Sequence, residues 1–334
     1  MQGFSTLELF PQETISKPWN IKSNYNQESL TDSLKNILES TNSVAFLIIQ
    51  NDSILSEYYW DNYGEGSRSN SFSMAKSITT MLAQIAIQKG VLQGWNQKVK
   101  SLLPELKGTY ADELELWHLS TMSAGLQWNE KYTNPFSVTA KAYYGSDVAQ
   151  LMMQLPIDSS PGQKYNYQSG ATQLLGMCIM AAAKKPLATL ASEWLWQPLQ
   201  AEHNAVWHTD SKGTELAYCC FNSNARDFAR FGKMLLQHGK WNNTQILDSA
   251  FVVMATSPAL DANYGYSFWI NDEFNTPIFY MRGILGQYVI VLPEHNAIAV
   301  RLGHERINPQ PDEMHTKDFR VIVQEVLKTI GSKN

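Results

Sequence analysis

β-type runs stand at both ends of this chain, and helical patterns fill the middle. From Ser43 to Trp60, "SVAFLIIQNDSILSEYYW" holds two strand-like runs around Asn51-Asp52-Ser53, the residues of a hairpin turn. From Tyr264 onward strands return in "YGYSFWI", "PIFYMRGI" and "GQYVIVLPEHNAIAVRLG", whose Pro293-Glu294-His295-Asn296 reads as a turn. Parallel neighbours need a crossover of a dozen or more residues, so these short links favour antiparallel pairing. The expected fold class is mixed α/β. One central antiparallel sheet is built from both termini, flanked by helices, with a large helical insertion. The corresponding division places residues 1–65 and 256–334 in a sheet domain and 66–255 in a mainly helical one, with the active site at their interface.

The chain has 334 residues and is 44% hydrophobic, enough for a sizeable core. A net charge of −5 without a long basic run argues against nucleic acid as a partner. No apolar stretch approaches the ~20 residues of a membrane span, so no integral membrane segment is expected. The stretch "MQGFSTLELFPQETISKPWN" lacks a basic segment followed by an apolar one, so no secretory leader is expected in it. Three cysteines do not make a disulfide framework; Cys178, Cys219 and Cys220 read as small buried hydrophobes.

The stretch "SFSMAKSITTMLAQIAIQKG", Ser71 to Gly90, carries the chemistry. Gly90 stops a helical run whose start falls near Ser73. Lys76, three residues on, shares a face with Ser73 and is set among Met74, Ile78, Met81, Leu82 and Ile85. Burial disfavours the charged form of an amine, and a neutral amine can take a proton from a hydroxyl and make it a nucleophile. The backbone N–H of Ser73 at the helix start would then face a developing oxyanion. Ser73–Lys76 is the one Ser-x-x-Lys pair read here as catalytic. A tyrosine in a Tyr-x-[Asn/Ser] pattern would complete it, and three exist: Tyr132-Thr133-Asn134, Tyr144-Gly145-Ser146 and Tyr167-Gln168-Ser169.

No G-x-S-x-G elbow anchors a Ser-His-Asp triad, and no histidine pair has zinc-hydrolase spacing. His118 reads as a packed or capping residue. No metal or organic cofactor is expected.

Taken together, the segments around these residues resemble the serine β-lactamase-like superfamily, to which Ser-x-x-Lys belongs. "PGQKYNYQSGATQLLGMCI" resembles the family's tyrosine segment, "LWHLSTMSAGLQWNE" its cleft-border segment, and "NARDFARFGKMLLQHG" a structural helix. The chain most resembles the branch of class C β-lactamases, related esterases and 6-aminohexanoate-dimer hydrolases. The resemblance implies Tyr167 as proton relay, with Ser169 where asparagine is commoner. It also implies the N–H of Ile284, in Gly283-Ile284-Leu285-Gly286-Gln287, as a second oxyanion donor. Trp128, Glu130 and Tyr132 fall in an implied lid or cleft wall, and Trp128 and Tyr132, with Ser169 and Gly283, are candidate substrate contacts. Lys-Thr-Gly, which binds a carboxylate in β-lactamases, is absent; Arg282 is a candidate replacement charge.

The implied function is a serine hydrolase of small esters or linear amides acting through an acyl-enzyme. The alternatives are a class C-like β-lactamase or D-amino-acid peptidase, and a non-enzymatic penicillin sensor or cell-wall binding module. The partner is a small-molecule ester, amide or β-lactam. A periplasmic or secreted location is what the resemblance favours.

Overall fold

The computed structural model describes residues 5–12, 16–27, 29–132, 134–308 and 313–331. Its main sheet has seven strands, in the order Trp269–Asn271, Ile278–Arg282, Tyr288–Leu292, Ala297–Gly303, Ser43–Gln50, Ser53–Tyr59 and Asn20–Ile21. The two halves of the chain meet in the middle, where Ala297 pairs with Gln50 and Arg301 with Phe46. All pairings are antiparallel except that of the short Asn20–Ile21 strand. The expected α/β architecture is therefore what forms. Asn51 and Asp52 both take positive φ in the hairpin, a conformation that short polar side chains tolerate.

Every residue of Ala297–Gly303 and all but the last of Ser43–Gln50 are buried, so both faces of the sheet are covered. The helix Ala225–Leu236 packs on strands Tyr288–Leu292 and Ala297–Gly303. Gly232 allows that approach: a Cβ there would lie 2.9 Å from Ile298 and 3.0 Å from Val289. Arg226 on the same helix grips Glu57 of the sheet through two hydrogen bonds of 2.8 and 2.7 Å. The helices Asp32–Ser40 and Lys317–Gly331 pack on each other.

A second sheet was not legible in the sequence. It orders Ser5–Leu9, Ala205–Thr209, Phe221–Ser223 and Ser69–Asn70 side by side, tying the N-terminal strand to the chain's middle. It also sets Ser71 down at the start of the helix Met74–Gln88, since the Ser71 N–H donates to the Phe221 carbonyl at 2.8 Å. That helix is buried all round from Met74 to Ala86 and packs against Ser169–Ala183, itself buried from Ser169 to Ile179. Among the described residues no single helix is long and apolar enough to cross a membrane.

One expectation is corrected. Cys219 and Cys220 are not separate thiols; they are joined to each other in a disulfide between adjacent residues. The bridge forms because the chain turns here, with Cys220 in the left-handed region at φ 69°. An extended or helical backbone would point neighbouring side chains apart. Cys178 alone remains a free, buried thiol, its pKa raised by burial.

Candidate active site

Ser73 caps the helix Met74–Gln88, and its side chain makes no capping bond to that helix. The hydroxyl instead accepts a hydrogen bond from Lys76 Nζ at 3.0 Å. Phe72, just before it, has φ 42°, so the chain turns sharply into the helix at the serine. Lys76 is 1% exposed. Its second hydrogen bond goes to the Tyr218 carbonyl at 3.1 Å, and Nζ lies 5.1 and 5.5 Å from the ring centres of Tyr167 and Tyr218.

Tyr167 stands between the lysine and an aromatic wall, its ring 6.0 Å from Tyr264 and 5.7 Å from Trp269. Ile284 follows the strand Ile278–Arg282 and lines the cleft with Ser73. Gly283 is what lets that edge come close. A Cβ there would fall 2.6 Å from the Ser71 carbonyl and 2.3 Å from Gln287 Oε1. Gln287 staples the turn, accepting from the Leu285 N–H at 3.1 Å and donating to the Gly303 carbonyl at 2.6 Å. Among the described residues, neither the Ser73 N–H nor the Ile284 N–H has a protein acceptor.

Two cavities meet at Ser73. The larger, about 340 Å³, is walled by Phe72, Tyr132, Tyr143, Tyr144, Tyr218 and Cys219, with Ser169 and Ile284 also lining it. The smaller, about 130 Å³, is lined by Glu130, Tyr167, Arg282, Gly283 and Arg306, with Tyr132 and Ile284 shared. Arg282 lies over the Trp269 ring, 3.3 Å from its centre, and donates to the Met314 carbonyl at 2.8 Å. Burial and the neighbouring Arg282 charge hold Arg306 below the usual arginine range.

The residues singled out in the lid segment divide. Tyr132 and Ser169 line the cleft, whereas Trp128 is buried behind it, packed on Gly170. Thr133 of the Tyr132-Thr133-Asn134 pattern lies outside the described residues. The group that organises this corner is Glu130, expected in the lid or cleft wall but without a role of its own. Its carboxylate accepts from Trp128 Nε1 at 2.5 Å and from the Ser169 N–H at 3.0 Å, and from the hydroxyls of Ser169 and Tyr132. A carboxylate at the first residue of the helix Ser169–Ala183 is also favoured by the helix dipole. Its one sequence signal was an acid between two aromatics, Trp128 and Tyr132.

His118 caps, as expected: its Nδ1 accepts from the Glu115 N–H at 2.9 Å, and burial lowers its pKa to about 4. Tyr218 and Cys219 had no readable signal. The Tyr218 hydroxyl is buried without a hydrogen-bond partner among the described residues.

A two-terminus antiparallel sheet, faced by helices and bordered by a buried Ser-x-x-Lys helix, defines a protein of β-lactamase/transpeptidase-like fold. The chain belongs to the Beta-lactamase family, whose model matches residues 31–320. It is similar to the 6-aminohexanoate-dimer hydrolase of Paenarthrobacter ureafaciens, 25% identical over 309 residues, covering 84% of this chain and 77% of that protein. A solved structure of a Bacillus anthracis protein, named for the 6-aminohexanoate-dimer hydrolases, superposes with a TM-score of 0.86 at 21% identity, covering 98% of this chain and 91% of the other. A D-stereospecific amidohydrolase from a Streptomyces species superposes at 0.65 with 14% identity, covering 89% and 97%. At these identities the two structures speak for the fold.

Proposed function

We propose that this protein is a serine hydrolase of small esters or linear amides, acting through an acyl-enzyme on Ser73. The observation that carries the reading is the buried Lys76 amine, 3.0 Å from the Ser73 hydroxyl at the point where both cavities meet. The similarity to a 6-aminohexanoate-dimer hydrolase supports a linear amide or ester as the substrate class.

Lys76 accepts the Ser73 proton as Oγ attacks the carbonyl carbon. The oxyanion forms against the N–H groups of Ser73 and Ile284; removing one such donor typically costs about 2.7–4 kcal/mol of transition-state stabilisation. The C–O or C–N bond then breaks, and Tyr167 passes a proton to the departing alcohol or amine. Water attacks the ester on Ser73, gives its proton back through Tyr167 and Lys76, and releases the acid. The larger cavity, with its aromatic wall, suits an apolar arm of the substrate, and Ser169 and Tyr132 add hydroxyls to its lining. The site lies where the sheet formed by the two termini meets the helices of residues 66–255.

Ser73→Ala, assayed with a p-nitrophenyl ester, tests the reading. Turnover is expected to vanish into the background; activity equal to that of the unaltered protein would remove Ser73 as nucleophile.

A further inference from the structure

The segment from Glu215 to Cys220 links strands Ala205–Thr209 and Phe221–Ser223 without regular structure, yet each of its carbonyls is held. Glu215 accepts from Gln173 at 3.0 Å, Leu216 and Cys219 from the Trp207 indole at 3.0 and 2.9 Å, and Ala217 from Thr79 at 2.7 Å. Tyr218 accepts from Lys76 at 3.1 Å, and Cys220 from the His208 N–H at 3.0 Å. Two of the donors, Lys76 and Thr79, stand on the nucleophile helix itself. The segment is a docking rail for that helix, and the disulfide closes its last two residues.

The bridge has a definite task there. Cys220 is held at φ 69°, a conformation costly for any residue with a Cβ. A ring closed across one peptide bond restricts the Cys219 ψ and Cys220 φ angles inside it, directly next to the peptide that carries the Tyr218 carbonyl. Cys219 also forms part of the wall of the larger cavity beside Ser73 and Ile284.

We propose that the Cys219–Cys220 disulfide is a positioning element of the active site: it fixes the Tyr218 carbonyl that orients Lys76 and holds the Cys219 wall of the larger cavity. This rests on the acyl-enzyme reading given above. Opening the bridge frees Cys220 to leave the left-handed region, and the lysine loses its second anchor. Reduction by a dithiol is balanced: two electrons and two protons pass to the two sulfurs, and the reagent closes to its own disulfide. The cavity gives such a reagent access to Cys219.

The test is to treat the intact protein with dithiothreitol, count thiols by alkylation and mass spectrometry after unfolding, and measure ester turnover against pH on the folded sample. One alkylated cysteine is expected before treatment and three after it. With the bridge open, kcat should fall by about ten- to a hundredfold, the scale of a misplaced catalytic group, with a shifted acidic limb and a smaller change in KM. Cys220→Ser, which cannot bridge and, having a Cβ, is free to leave the left-handed region, should show lowered kcat that no longer responds to dithiothreitol. Three alkylated cysteines before treatment would overturn the proposal. So would an opened bridge that lowers the melting temperature but leaves kcat and the pH limb in place. A protein that turns over no ester in either state removes the acyl-enzyme reading, and this proposal with it. Turnover that is lost in Ser73→Ala but indifferent to reduction removes this proposal alone.

Discussion

Lys76 and Ser73 are joined by a 3.0 Å hydrogen bond at the head of a helix whose first thirteen residues are buried. The amine's remaining neighbours are a carbonyl and two tyrosine rings. Among the described residues, the Ser73 hydroxyl is the side chain to which this amine is hydrogen-bonded.

Replacing Lys76 by methionine keeps the length of the side chain and removes its base. Ester turnover should drop by about 10²–10⁴-fold, the usual contribution of a positioned acid or base. Thermal unfolding should remain cooperative, because a buried polar group is exchanged for an apolar one of similar volume. Steady-state kinetics beside a circular dichroism melt checks both halves.

Glu130→Ala leaves the buried Trp128 indole and the Ser169 N–H without their acceptor. Each buried unpaired donor costs about 1–3 kcal/mol, so urea denaturation should show a loss of at least that size. Because Tyr132 and Ser169 line the substrate cavity, KM should rise more than kcat falls. An unchanged denaturation midpoint would contradict the anchoring role.

Gly283→Ala drives a methyl group against the carbonyl of Ser71, a residue whose N–H is held by the Phe221 carbonyl, so the turn after Ile278–Arg282 must move away from Ser73. A displacement of an oxyanion donor by about 1 Å is enough to lower kcat by about 10²-fold. The same kinetics, with a melt to confirm folding, decides it.

How much of this was legible follows sequence distance. The hairpin at Asn51-Asp52, the helix stop at Gly90 and the Ser73–Lys76 pair are local, so period and turn chemistry exposed them. The Glu130–Ser169 link spans 39 positions and the Lys76–Tyr218 link 142, and no periodic signal reports such pairs. The strand Ser5–Leu9 is short and has only its last residue buried, so it was unreadable without its partner at residues 205–209. Cys219 and Cys220 were misread because their bridge depends on a left-handed turn that the dipeptide itself does not announce.

Acid should weaken the fold before it weakens most carboxylate pairs. Burial lowers His118 and His315 from the ordinary 6.5 to about 4. As pH falls between those values, the unfolded chain takes up protons that the folded one refuses. The stability tied to these neutral imidazoles is therefore complete above about pH 6.5 and lost as pH falls toward 4. Melting temperatures measured across that window should decline, and His315→Gln should decline less steeply.

A substrate comparison bears on the reaction class. A short-chain p-nitrophenyl ester should be turned over more efficiently than the cephalosporin nitrocefin, because Lys-Thr-Gly is absent and Arg282 is already engaged with Trp269 and Met314. Efficient nitrocefin turnover without ester hydrolysis would assign the site to β-lactams instead.

The most direct measurement is covalent. The intact protein, treated with a fluorophosphonate and digested, should carry one adduct, on the peptide containing Ser73, and Lys76→Met should slow its formation by about 10²-fold or more. An adduct on another residue, or labelling as fast without Lys76 as with it, would contradict the claim that this amine makes Ser73 a nucleophile.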